Sequence, residues 1–371
     1  MQPSTLPGPY RGGHRFRGPY HYRSLFWAIV LIAIGVVWLL ADVHAISTAQ
    51  LSTLMRLWPI LLVGVGVDLL IGHRSLYLGA LVGVVTVGII VVLMLLGPSL
   101  GWAEDTTVKS QTFTALVGQA TSARVRLDLA GYAATIHALD QSQSADRPLV
   151  AVAGQYVGTV DFSATGDAEK TVSLETSSGF WGWRWFGDKS TYSWDIGFDP
   201  GIPLYLTVDS GSGKKTVDLS KLQLASVDCG LGSGEMVLTL PAMPQSVAVS
   251  LDVSSGDINA QVPDGAKMDM RTSVSSGDVQ VVLGHDSDVA ITIRVSSGQM
   301  TVNVPAGAAV RVQVANVSSG DVKVPSGLSR VGGGEGKEGT WETPGYGGAA
   351  HKIAISVENV SSGSVVVKQG G

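Results

Sequence analysis

An aspartate closes the phrase Val-Ser-Ser-Gly-Asp three times in this 371-residue chain, as Asp257, Asp278 and Asp321. Carboxylates that recur beside glycine turns could ligate a cation. Gln299 and Ser364 hold the same place in sister phrases, however, and Lys214 follows Gly213. The calcium-binding nonapeptide of other β-solenoids is also absent, so the phrase reads as turn chemistry. Cys229 is the only cysteine, which excludes an intrachain disulfide. Its slot matches that of Leu251 one phrase later and predicts a small buried hydrophobe. The seven histidines are scattered, none at metal-ligand spacing with a second ligand. No Walker loop and no Gly-x-Ser-x-Gly elbow occurs. The expectation is a protein without catalysis, bound metal or cofactor.

Spacing carries more than side-chain chemistry. The phrase or a close variant ends on Gly213, Gly234, Gly256, Gly277, Gly298, Gly320 and Gly363, at intervals of 21, 22, 21, 21, 22 and 43 residues. The last interval equals two periods. A fixed period in the twenties marks a solenoid, each repeat forming one coil. After Gly277, Val279, Val281 and Leu283 alternate with polar neighbours; a turn follows, and then Val289, Ile291, Ile293 and Val295 alternate again. The coil therefore reads strand, turn, strand, turn. Met236, Ile258 and Met300 keep the same offset from their glycines, which argues for a shared core, because a one-residue slip would turn each set outward. The extra residue near Asn316 predicts a bulge. The turn glycines are expected at positive φ. Parallel crossovers are right-handed by general rule.

The first hundred residues differ in kind. Leu25 to Ala41 and Leu76 to Leu96 are uncharged apolar runs, and Leu57 to Ile71 is interrupted only by Asp68. These predict spans at about 25–41, 57–71 and 76–96. Asp68 is expected at the membrane interface beside His73 and Arg74. Residues 1–102 carry six arginines and two aspartates, whereas the remainder is acidic. Arginines before the first span and between the second and third put the N-terminus in the cytoplasm and the repeats outside. The basic, Gly- and Pro-rich first 24 residues read as a disordered topogenic tail and not as a nucleic-acid binder.

Two further groups could meet partners. Gly79, Gly83 and Gly88 in the third span permit close helix packing. Trp181, Trp183 and Trp185 alternate, with Trp194 nearby; a cap on the solenoid end and a partner-contact surface are the competing readings. Residues 331–350 read as a loop from the solenoid flank.

Gly35-Val36-Val37-Trp38-Leu39-Leu40 and Trp58-Pro59-Ile60-Leu61-Leu62-Val63-Gly64-Val65-Gly66 resemble the membrane region of the LiaI/LiaF-type envelope-stress proteins. Asp199 to Pro203, Leu206 to Gly213, Val217 to Leu222 and Arg124 to Ile136 resemble the toast-rack domain of that family, and the later coils are similar to adhesin-like repeats fused to it. The resemblance implies action beside membrane histidine kinases in sensing envelope damage, with no catalytic residues. Three spans, where four are usual, and the long run of extra coils depart from the family pattern.

The resulting expectation is a three-span membrane anchor bearing an all-β, right-handed parallel β-solenoid of about 21-residue coils. Its parts are a tail (1–24), a membrane region (25–97), a linker (98–115), a toast-rack-like β domain (116–245) and a repeat solenoid (246–371). Its partners would be the membrane and a sensor histidine kinase or another membrane protein. The alternative is a self-associating, adhesin-like cell-surface scaffold.

Overall fold

Continuous apolar runs form the helices of one compact unit, Met1–Glu104, and alternating residues form the strands of a second, Asp105–Gly371. The computed structural model describes residues 25–43, 46, 50, 53–54, 56–70, 76–97, 99–100, 108–140, 146–177, 192–333 and 336–370.

The first unit holds α1 (Phe26–Asp42), α2 (Trp58–Leu70) and α3 (Leu76–Leu96). The third packs against both others. Small residues make the close approaches. A Cβ on Gly83 would lie 3.3 Å from the Phe26 Cα, and one on Gly64 would lie 2.6 Å from the Thr86 hydroxyl. Outward side chains such as Leu31, Ile32, Trp38, Leu62, Val63, Leu81 and Leu95 are exposed and apolar, the pattern of helices that face hydrocarbon. One helix, Tyr77–Leu96, is long and apolar enough by itself to cross a membrane. At 17 and 13 residues, α1 and α2 reach about 25 and 20 Å, short of a hydrocarbon core of about 30 Å. Asp68 is fully buried on α2, on the same side as Gly64, and not at an exposed interface. His73 and Arg74, its expected companions, lie outside the described residues.

In the second unit each coil places one strand in each of two facing sheets. Sheet one receives β8 (Leu204–Ser210), β10 (Leu224–Leu231), β12 (Val247–Val253), β14 (Lys267–Val274) and β16 (Asp288–Val295). Sheet two receives β9 (Lys214–Asp218), β11 (Glu235–Thr239), β13 (Asp257–Gln261), β15 (Asp278–Val282) and β17 (Gln299–Val304). Every neighbouring pair in this middle stretch is parallel, and all run in register apart from a shift between Leu224 and Ser226 where β10 meets β8. The Ser-Ser-Gly turns carry the chain from sheet one to sheet two. Alternate residues point between the sheets and make one buried core from Ala115 to Val367, which passes without a break through residues 245 and 246. Cys229 is part of it, as its slot predicts.

Both ends depart from chain order. The coil of β2 (Ser122–Asp128) and β3 (Ala133–Ala138) lies against β8 and β9, and β6 (Glu169–Ser177) with β7 (Ser193–Phe198) lies outside it. Antiparallel strands close that end: β5 (Thr159–Thr165) on β6, β4 (Pro148–Tyr156) on β7, and β1 (Lys109–Leu116) on β4. At the opposite end the chain forms β18 (Val310–Val314) and β19 (Asp321–Lys323), and then a hairpin of β20 (Ser329–Gly332) and β21 (Gly339–Glu342). It finishes with β22 (Ile353–Val360) and β23 (Ser364–Gln369). The last coil does not stack outermost. It lies between the coil of Gly298 and the coil of Gly320, paired in parallel on both sides. Residues 331–350, expected as a flank loop, supply part of the hairpin whose β21 pairs antiparallel with β18 and covers its free edge. The bulge expected near Asn316 is not seen in β18, which runs in step with β22; the register shifts instead at Glu358 of β22, against β16.

Candidate functional site

The turn glycines are explained by distance more than by dihedral angle. Only Gly213 and Gly234 of the seven have positive φ, at 89° and 106°. The other five are held by close stacking of backbone on backbone. A Cβ at Gly256 would lie 2.8 Å from the carbonyl oxygen of Gly234, and a Cβ at Gly277, Gly298 or Gly363 would come closer still to the glycine carbonyl beneath it. Gly320 meets Gly363 in the same way, which places it outermost in the file. The serine backbone builds the accompanying ladder: Ser254 donates to Leu231, Ser275 to Val253 and Ser296 to Val274. These corners are structural.

Recognition chemistry collects instead on the outer face of sheet one. Register brings Asp128 beside Asp209, Asp209 beside Gly230, and Gly230 beside Asp252. They line an open groove of about 450 Å³ whose floor includes Gly211, Gly230 and Gly232. A Cβ at Gly230 would lie 2.8 Å from the Asp209 Oδ1, so glycine there lets that carboxylate lie across the groove. Arg126 answers Asp209 at 3.2 Å, and the Ser250 hydroxyl donates to Asp252 at 3.1 Å. Neighbouring Asp228 has its pKa raised, first by burial and then by the charges of Asp252 and Asp209, against the pull of Arg126. Two coils on, the same rows carry Arg271 and Arg294, which pair with Asp269 and Glu358. This site was not anticipated from the sequence, although a signal existed. Asp209, Gly230, Asp252, Ser273 and Arg294 each stand four residues before a turn glycine.

Groups that could react are occupied elsewhere. The Cys229 thiol points into the core and is pushed up to about 12, chiefly by burial and then by Asp228 and Asp209. Lys215 is buried where the next coil has Met236, and its Nζ donates to the carbonyls of Tyr132 and Ser212. Burial lowers its pKa to about 8. His137 reaches Asp195 at 2.9 Å and His351 reaches Asp288 at 3.3 Å, and neither histidine has a hydroxyl or thiol partner among the described residues. No group of three or more His, Cys, Asp or Glu among the described residues is arranged to hold a metal ion.

The other anticipated residues divide. Trp181, Trp183 and Trp185 lie outside the described residues. Trp194 is not a contact surface: it is 1% exposed on β7, stacks on Tyr156 with centroids 5.4 Å apart, and lies over Gly154. It packs where β4 and β7 pair, next to the antiparallel closure. In the helical unit Gly79 is buried and Gly83 faces α1, whereas Gly88 has no neighbour within 4 Å of its Cβ position.

Three family models match the chain. Residues 25–70 match the LiaI-LiaF-like transmembrane region, residues 104–259 the N-terminal domain of toast_rack (DUF2154), and residues 195–325 the Toastrack DUF4097 domain. No curated protein matches. Among solved structures, a candidate cell adhesion protein from Clostridium sporogenes is 16% identical, covering 71% of this chain and 100% of its own, with a TM-score of 0.35. A candidate adhesin from Bacteroides fragilis is 9% identical, covering 70% of this chain and 97% of its own, with a TM-score of 0.31. At those scores neither likeness adds to the argument.

Proposed function

With a LiaI-LiaF-like membrane region joined to toast-rack modules as premise, we propose that this protein is a non-enzymatic, membrane-anchored accessory that senses or signals envelope stress through protein partners. The family match covers α1 and α2, and the length of α3 suits a third crossing. One crossing or three gives the same result: the N-terminus is cytoplasmic and the solenoid, with right-handed coils, lies outside.

The observation that favours this reading over a polymerising scaffold is that antiparallel strands end the parallel stack at three of its four sheet edges. Antiparallel β4 and β5 cover one end, and the β20–β21 hairpin covers β18 at the other. The fourth edge strand, β19, has three residues, and Lys337 donates to the Gly320 carbonyl beside it. Edges that reverse strand direction do not continue a parallel stack of coils, and a short edge beside a charge opposes strand addition. A ligand or partner on the coils would then act by changing how the helices pack against a sensor histidine kinase. Gly88 offers the open small-residue face for that contact.

The deciding experiment is photo-crosslinking in native membranes from a reactive side chain at Gly88. A trapped sensor kinase is the expected product. Self-crosslinks alone would replace this reading with the adhesin-like scaffold.

A further inference from the structure

The last two coils in the sequence carry the same apolar pattern. Val310, Val312, Val314, Val317, Gly320 and Val322 of one correspond to Ile353, Ile355, Val357, Val360, Gly363 and Val365 of the other, each 43 residues later. Both contain the additional asparagine residue, and Asn316 donates to Asn359 at 3.0 Å across the pair. The coil of β16 and β17 therefore offers one surface that either coil fits. Translation and export present β18 and β19 first, yet β22 and β23 occupy that surface.

Two surface side chains distinguish the two. His351 lies 3.3 Å from the Asp288 carboxylate, and Glu358 pairs with Arg294 at 2.5 Å. Forty-three residues earlier the corresponding positions are Ala308 and Ala315. The side-chain contacts peculiar to the C-terminal coil on this surface are thus exposed ion pairs, and exposed pairs contribute little in water.

We propose that the two coils compete for the surface of the Gly298 coil, and that the C-terminal coil is a displaceable insert. When it leaves, β18 and β19 close onto β16 and β17. Residues 353–369 are then a free segment with unpaired strand edges. Opening the insert would occur within the folded solenoid and would not require its unfolding.

Paired cysteines in the full chain test this. Gln299 is registered with Ser364, and Ser364 with Asp321. Two strand spacings, about 9–10 Å, separate Gln299 from Asp321 and prevent a disulfide in the order described. Native Cys229 is buried and stays silent. Gln299→Cys with Ser364→Cys should bond rapidly in the folded protein. Gln299→Cys with Asp321→Cys should bond slowly, yet faster than the same variant unfolds globally. Adding His351→Ala and Glu358→Ala should speed that second reaction about tenfold relative to global unfolding. The proposal is overturned if the 299–364 bond does not form, or if the 299–321 bond appears only at the global unfolding rate in both backgrounds.

Discussion

At the scale of single residues, the glycine file does what no side chain could. Gly277→Ala would drive a methyl into the Gly256 carbonyl and to 2.8 Å from the Val253 side chain. It should destabilise the β unit by about 1–3 kcal/mol, read from urea unfolding. The phrase marked these glycines in the sequence but suggested positive φ, which only Gly213 and Gly234 adopt. Contact between backbones 21 residues apart leaves no local trace, so the true reason was illegible. Lys215 gives a second expectation. Its pKa is lowered to about 8 in the fold, against 10.5 as the ordinary value. Between those values the unfolded chain holds more protons, so stability rises with pH from 8 to 10.5 and is least below 8. Lys215→Met, which places there the side chain that Met236 supplies one coil on, should abolish that rise. The difference in urea midpoint between the two proteins across pH 7.5–10.5 measures it.

At the scale of elements, the strands were legible and their order was not. Alternation around Gly277 located β15 and β16, and the constant offset fixed their register. The interval of 43 residues after Gly320 suggested two periods in line. In space the final coil takes the inner place, paired in parallel with β16 and β17 on one side and with β18 and β19 on the other. The acidic groove was hidden for a related reason: Asp128, Asp209 and Asp252 meet only through register across several coils. The Trp segment was half informative, since Trp194 proved to be core. The hairpin carries its own expectation. Its β21 covers β18 through the pairs Arg311–Glu342 and Val312–Trp341, with the Arg311–Glu342 ion pair at 2.6 Å. Replacing residues 326–345 by a short Gly-Ser linker should leave that edge free and turn a monomeric β unit into oligomers, as measured by light scattering.

At the scale of the molecule, apolar runs marked all three helices as expected spans, whereas among the described residues only α3 is long and apolar enough to cross by itself. The proposed orientation puts the coils outside the membrane. Ser319→Cys, exposed in its turn, should therefore react with an impermeant maleimide in intact cells, while Cys229 remains unlabelled. Labelling only after permeabilisation would reverse the orientation.

The parallel middle, with antiparallel strands at either end, has a consequence for how such a molecule can change size. Each coil added between β8 and β17 would lengthen the stack by one strand spacing, about 4.8 Å, and disturb neither end. Gain or loss of a 21- or 22-residue unit in the gene would thus alter reach in discrete notches, with the terminal machinery conserved. The β unit is built like a ruler whose graduations can be counted in the sequence.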